Sequence, residues 1–280
     1  MKIRSTEKPH FFTEKLYKSI PIYDLQGLTL DSNYNFTGGI EAVEFNAEET
    51  INIKSIFRKE EWIAKLCLCN QLSVPLYVVT YKSWNTFISI YELHLYKKRD
   101  GYDVQIFFHK KLELNKFADW WSELKGTEQS KPLYEAARRI SYFDQLLAKR
   151  RLAWGGNIDG FLLNSDMRTQ AIIETRYTTK NPLEVYDPAI FYPPHYTRAG
   201  DYKTWEPLVL LASELNIPLF LFTFERKSDE DRLGFAIIDY ISKEELKYHK
   251  DPPHKNIIKG IENINKEIKK NISKQPPTIH

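Results

Sequence analysis

Two acidic residues stand in two consecutive apolar segments in the second half of the chain. Asp159 lies in "GGNIDGFLL" and Glu174 in "QAIIETRY", and the alternation within both segments predicts β-strands joined by the turn "NSDMR". Because side chains alternate across a strand, a suitable hairpin register brings both carboxylates to one face. Carboxylates held close together repel, and a shared hard cation, Mg²⁺ or Mn²⁺, relieves the repulsion. The alternative is two solvated charges on an exposed hairpin.

Other kinds of catalytic chemistry have little support in this sequence. Cys67 and Cys69 are the only cysteines, and without a second pair they indicate buried thiols rather than a zinc site. The seven histidines form no HExxH motif, and the chain contains no GxSxG elbow, phosphate-binding loop or dinucleotide-binding fingerprint. The sequence therefore disfavours zinc-dependent, serine-nucleophile and nucleotide-binding classes.

The elements that must position the two acids follow from hydrophobic periodicity. A helix "PLYEAARRISYFDQLLAKRRL" precedes the two strands, and a helix "YKTWEPLVLLASEL" and strands "IPLFLFTFE" and "GFAIIDYI" follow them. This order predicts an α/β fold, with a mixed central sheet flanked by helices. The first half repeats part of it, because "EWIAKLCLCNQLSVPLYVVTY" and "TWEPLVLLASELNIPLFLFTF" share the order tryptophan, apolar helix, proline and aromatic strand. The repetition favours an internal duplication.

This set of elements and acids resembles the PD-(D/E)xK nuclease superfamily, with a restriction-endonuclease-like core, over residues 132–240. Asp159 matches the family's aspartate, and "Glu174-Thr-Arg176" matches its acidic-x-lysine step with arginine in place of lysine. The resemblance implies Mg²⁺ or Mn²⁺ bound by Asp159 and Glu174, with Glu135 on the preceding helix as a third ligand. An ion pair of Glu135 with neighbouring arginines is the alternative for that residue.

The departure at Arg176 bears on the chemistry, because a guanidinium stabilises a phosphate charge but does not act as a base. Either Arg176 supplies the electrostatic part alone, or a lysine has moved along the chain, with Lys203 the first choice and Lys180 the second. Residues expected to contact nucleic acid come from the helix before the acids and the long aromatic loop after them. They are Arg138, Arg139, Lys180, His195 and Arg198. A packed cover over the sheet is the alternative for that loop.

The first half offers Asp31 and Glu41 at the corresponding places, with Val43 at the basic position, and so reads as a degenerate copy. For Asp31, the simple start of a turn is the favoured interpretation. The predicted domains are a degenerate nuclease-like or scaffold domain over 1–124, a linker over 125–131, a nuclease domain over 132–245 and a lysine-rich tail over 246–280.

The expected function is a metal-dependent endonuclease that hydrolyses DNA, in restriction, defence or transposition. The alternative is an inactive nuclease-fold protein that binds nucleic acid or another protein. The net charge of +3 does not by itself indicate a nucleic-acid binder. The expected partners are DNA and either a second copy of the chain or a larger multi-protein complex. No apolar run suits a signal peptide or a membrane span, so we expect a cytoplasmic protein.

Overall fold

The structure is a computed structural model that describes most of the chain. The described residues are 2–3, 15–45, 52–82, 87–99, 101–126, 143, 147, 156–195, 200–226 and 230–279. Among them, every helix is too short or too polar to traverse a bilayer.

The described elements alternate between strands and helices. The strands are β1 (Lys2–Ile3), β2 (Ile22–Leu30), β3 (Phe36–Phe45), β4 (Leu76–Lys82), β5 (Phe87–Lys98), β6 (Gly101–Glu113), β7 (Gly156–Leu163), β8 (Thr169–Thr178), β9 (Leu219–Glu225), β10 (Arg232–Ile241), β11 (Leu246–Tyr248), β12 (Ile257–Lys259) and β13 (Thr278–Ile279). The helices are α1 (Tyr17–Ser19), α2 (Lys59–Gln71), α3 (Leu114–Lys125), α4 (Tyr202–Glu214) and α5 (Ile261–Asn271). The α/β class and the strands and helix predicted over 156–241 are confirmed.

The chain divides into two compact units. The first comprises Met1–Thr6 and Leu25–Asn157, and the second comprises Glu7–Asp24 and Ile158–His280. In the first unit the strands follow the order β2, β3, β4, β5, β6, and in the second the order is β7, β8, β9, β10, β11. Strand pairing is mixed in both units, since β3 and β4 run parallel, as do β8 and β9, whereas the neighbouring pairs are antiparallel.

Within each unit, the same succession of hairpin, helix and parallel strand is built with the same register. Gly39 of β3 lies opposite Leu76 of β4, and Ile172 of β8 lies opposite Leu219 of β9. In both units the connection between the parallel strands contains a helix, α2 or α4, as a parallel crossover requires. The helices align on their tryptophans, Trp62 and Trp205, which are both about 1% exposed.

The hairpin turns of the two units also match in detail. Oδ1 of Asp31 accepts hydrogen bonds from the backbone N–H groups two and four residues further on, at 2.8 and 2.9 Å. Oδ1 of Asn164 does the same, at 2.9 Å in both cases. Each turn contains one residue with positive φ, Tyr34 at 65° and Met167 at 62°. Agreement in strand order, register and turn chemistry supports the duplication predicted from the sequence.

The boundaries of the two units differ from the predicted domains. The sequence prediction places residues 132–152 in the nuclease domain, whereas these residues belong to the first compact unit. Its two described residues, Phe143 and Leu147, are helical and fully buried, and they pack in the first unit's core with Phe117, Trp121 and Tyr81. Large apolar side chains on that helix therefore complete the first core. The predicted linker falls mostly on residues outside those the structure describes.

The lysine-rich segment from residue 246 onward is built into the second unit and is not a separate tail. β11 and β12 pair antiparallel with β10, and β13 pairs parallel with it. Helix α5 buries Ile264 and Ile268 in the core that contains Phe222 and Phe235. Its lysines occupy the opposite face, so the helix is amphipathic. The high lysine content of the segment did not indicate its buried apolar face.

Candidate functional site

Asp159 and Glu174 occupy neighbouring positions on the antiparallel strands β7 and β8. Gly160 lies opposite Ile173, and the two acids are the next residue beyond that pair on each strand. Both are buried, with 7% and 5% of their surface exposed. The alternative of two solvated hairpin charges is therefore wrong, and each buried carboxylate requires compensating partners.

Asp159 is held by groups from two elements of the second unit. Its Oδ2 accepts hydrogen bonds from the backbone N–H of Thr175, at 3.0 Å, and from the Thr175 hydroxyl. Its backbone carbonyl accepts a hydrogen bond from the Tyr17 hydroxyl at 2.8 Å. Burial, followed by the negative charges of Asp159, Asp24 and Glu174, raises the pKa of Tyr17, so its phenol remains a proton donor.

Glu174 forms an ion pair with Arg176, two residues further along β8. Nε of Arg176 lies 3.0 Å from Oε1 of Glu174, and Nη1 lies 3.9 Å from Oδ2 of Asp201 at the start of α4. The guanidinium also stands over the Trp205 ring, 5.2 Å from its centroid. Burial lowers the pKa of Arg176, but the charges of Glu174, Asp201 and Asp159 outweigh this and raise it above its usual value. The site thus contains three acids around one fixed cation.

The other predicted site residues are distributed differently. Lys203 is 75% exposed in its side chain, and its Nζ lies 3.0 Å from Oε2 of Glu206 rather than pointing to Glu174. Lys180 and His195 are exposed in the segment that follows β8. The remaining predicted residues lie outside the described part of the chain: Glu135, Arg138, Arg139 and Arg198.

Four residues that the sequence reasoning did not select complete the site: Tyr17, Thr175, Asp201 and Trp205. Thr175 could have been found, because it is the central residue of the Glu-x-Arg step. The sequence singled out Trp205 only because a tryptophan begins the corresponding helix in both halves. Tyr17 and Asp201 carry no local signal, since they approach the strands from distant parts of the sequence.

The first unit contains a counterpart of this site with a different charge arrangement. The matching registers place Gln26 at the position of Asp159, and Oε1 of Gln26 accepts the Ala42 backbone N–H at 2.9 Å, as Asp159 does from Thr175. Glu41 corresponds to Glu174, and its Oε1 lies 2.6 Å from Nζ of Lys65 on α2. Both charged groups are almost fully buried, at 0% and 1% exposure.

The predicted role of Asp31 as the counterpart of Asp159 is therefore wrong. Asp31 matches Asn164 in the hairpin turn, because its carboxylate organises the turn backbone. Its favoured interpretation, as the start of a turn, is confirmed. The helix lysine of the first unit has no equivalent cation in the second, where Leu208 stands at that place when the tryptophans are aligned.

The carboxylate oxygens of Asp159 and Glu174 are of the type that hard divalent cations prefer. Mg²⁺ is commonly bound through one or two carboxylates and keeps several of its waters, and Asp159 and Glu174 supply two carboxylates. Within the described residues, no three histidine, cysteine, aspartate or glutamate side chains are arranged to hold a metal ion. The described residues therefore offer two neighbouring carboxylates at this place, and Arg176 contacts one of them.

Comparisons of the chain with models of known families, with curated protein sequences and with solved structures returned no match.

Proposed function

We propose that the second unit is a metal-dependent nuclease that hydrolyses phosphodiester bonds in DNA. The observation that carries the proposal is the convergence of Asp159, Glu174 and Arg176 at the end of the β7–β8 ladder. A strand with aspartate, an antiparallel strand with Glu-x-Arg, a helix and a parallel strand follow one another here in the order of the PD-(D/E)xK core. That order and those strand directions support the proposal.

Each residue of the site has a chemical task in this proposal. Asp159 and Glu174 would hold Mg²⁺ or Mn²⁺, which would neutralise phosphate charge and lower the pKa of a bound water. Thr175 fixes the orientation of the Asp159 carboxylate through two hydrogen bonds. Arg176, kept charged by its acidic neighbours, contributes a fixed positive charge beside the scissile phosphate. Trp205 and Asp201 position the guanidinium.

The test is cleavage of plasmid, linear and single-stranded DNA with and without Mn²⁺. We expect cleavage that depends on the metal, and we expect Asp159→Asn and Glu174→Gln each to reduce its rate by at least about 100-fold, because each removes a charged ligand with little change of shape. Gel electrophoresis of the products measures the rate.

Asp166→Asn is the matched control. Asp166 is an exposed acid in the turn of the same hairpin, so its loss should leave the rate unchanged within about twofold. Unaltered cleavage in both site variants would sink the assignment.

A second function is favoured by the Glu174–Arg176 ion pair. In an inactive protein that keeps the nuclease fold, an arginine can neutralise the acid that would otherwise bind the metal. Such a protein would bind nucleic acid or another protein without cutting it. Calorimetry with Mn²⁺ distinguishes the two. Metal binding that Asp159→Asn abolishes favours the nuclease, and DNA binding without metal binding favours the inactive module.

A further inference from the structure

A cavity of about 270 Å³ opens beside the middle of β10 in the second unit. β12 pairs with residues 232–234 of β10 and β11 pairs with residues 238–241, so residues 235–237 lie between these two pairings. The chain between β11 and β12 forms one wall of the cavity, and the last turn of α5 forms another. We call this space the β10 cavity.

Backbone hydrogen bonds fix the inner side of the β10 cavity. The backbone N–H of Phe235 donates to the carbonyl of Asn256 at 3.0 Å, and Nδ2 of Asn256 donates to the carbonyl of Phe235 at 3.1 Å. The backbone N–H of His249 donates to the carbonyl of Ile237 at 2.9 Å, while its ring faces Asp239, with Nδ1 3.5 Å from Oδ1. The cavity is therefore built into the strand framework, as is usual for a preformed binding site.

The walls of the β10 cavity carry positive and negative charges in equal number. Lys250 and Lys270 face it together with Asp251 and Glu267. Lys270 is already paired, since its Nζ lies 3.3 Å from Oε1 of Glu267. Lys250 and Asp251 form no ion pair with any residue in the described part of the chain. One unpaired charge of each sign is thus available to a ligand.

Two carboxamides add hydrogen-bond acceptors to these charges. Asn271 is only 7% exposed, and its Nδ2 donates to the carbonyl and to Oε1 of Glu267, both at 2.8 Å. Nδ2 of Asn256 is occupied by the β10 backbone. Among the described residues, no donor reaches the side-chain oxygen of either asparagine. These oxygens suit the N–H groups of a ligand.

We propose that the β10 cavity binds a small zwitterion, a free α-amino acid, with its carboxylate beside Lys250 and its ammonium beside Asp251 and the asparagine oxygens. A ligand with one charge would leave either Lys250 or Asp251 unmatched, whereas a zwitterion matches both.

The size of the cavity agrees with such a ligand. At roughly 30 Å³ for each water in the liquid, a cavity of about 270 Å³ has room for about nine or ten non-hydrogen atoms. The inference goes beyond the proposed nuclease, because β9 separates β10 from the strand that carries Glu174.

The test is ligand-observed NMR on the full chain with each of the protein amino acids in turn, at about 10 mM. We expect at least one to bind with a Kd of about 1 mM or lower. Two analogues of that amino acid test the need for both charges. One has a carboxamide in place of the carboxylate, and the other has hydrogen in place of the ammonium. Each should bind at least about tenfold more weakly, because one charged group of the cavity is left unmatched.

Variants of the two unpaired residues locate the binding. Both side chains are exposed, so Lys250→Met and Asp251→Asn should fold normally, and each should weaken binding about tenfold by calorimetry. Lys247→Met and Glu262→Gln are the matched controls, since Lys247 is paired with Glu245 on β11 and Glu262 is exposed in the first turn of α5. They should change the affinity by less than about twofold.

The proposal is overturned if no amino acid binds, which would leave the cavity to water, or if either analogue binds as tightly as the parent amino acid. It is also overturned if the control variants lose as much affinity as Lys250→Met. Neither DNA nor a metal ion enters these measurements, so their failure is separate from failure of the proposed nuclease.

Discussion

At the scale of residues, the two units satisfy equivalent buried carboxylates with different cations. Glu41 forms an ion pair with the ammonium of Lys65 on the neighbouring helix, whereas Glu174 forms one with the guanidinium of Arg176 on its own strand. Lys65 is buried and also stands 4.4 Å from the centre of the Phe57 ring, whereas Arg176 remains a quarter exposed. The cation of the first arrangement is closed off from solvent, whereas the cation of the second is partly accessible.

The buried pair leads to a prediction about stability. Lys65→Met leaves the Glu41 carboxylate buried without its cation, so we expect the free energy of unfolding to fall by about 3 to 5 kcal/mol. The double variant Glu41→Gln with Lys65→Met should recover much of that loss, because no uncompensated charge remains. Urea denaturation measures both.

Lys203→Met serves as the comparison for that pair. Lys203 is paired with Glu206 but largely exposed, so its loss should cost less than about 1 kcal/mol. Equal losses for Lys65→Met and Lys203→Met would contradict the assigned difference in burial.

At the scale of elements, strand ends and helix faces decide which residues are accessible. The β7–β8 ladder ends just before the two acids, and the helix α4 that follows β8 brings Trp205 and Asp201 to Arg176. On the other side of the second unit, α5 turns its isoleucines inward and its lysines outward. The same lysine-rich composition therefore serves a packed helix rather than a free arm.

The packing of α5 can be tested by truncating its buried side chains. Ile264→Ala and Ile268→Ala should each lower the free energy of unfolding by about 2 to 5 kcal/mol, since each leaves a cavity in the core. Lys269→Ala, on the exposed face of the same helix, should change it by no more than about 0.5 kcal/mol. Denaturant unfolding distinguishes the variants. An unchanged free energy of unfolding in Ile264→Ala would instead support the separate tail that the charge pattern indicated.

At the scale of the whole molecule, the chain is an α/β protein of two similarly built units that differ in their polar sites. Strand order, register and turn geometry agree between them, but Asp159 is replaced by Gln26 and Arg176 by Val43. In the first unit Lys65 supplies the positive charge that a metal supplies in the proposed site. The acid of the first unit is therefore neutralised by a buried lysine, whereas the second unit keeps Asp159 and Glu174 beside Arg176.

This divergence predicts the stoichiometry of metal binding. On the proposed function, calorimetry should detect one Mn²⁺ per chain, because the ammonium of Lys65 already neutralises Glu41. Asp159→Asn should abolish the binding, and Gln26→Ala in the first unit should leave it intact. Two equivalent ions per chain would contradict the assignment of the first unit.

The sequence by itself determined the strands and helix over 156–241, the placing of Asp159 and Glu174 on consecutive strands, and the similar order of elements in the two halves. These follow from local patterns, since alternating burial marks strands and short-range side-chain bonds mark turns. Tertiary structure alone decided that Gln26 rather than Asp31 is the counterpart of Asp159, that Lys65 neutralises Glu41, and that α5 is part of a core. Such facts depend on strand register and on contacts between residues far apart in the chain, which a linear pattern does not specify.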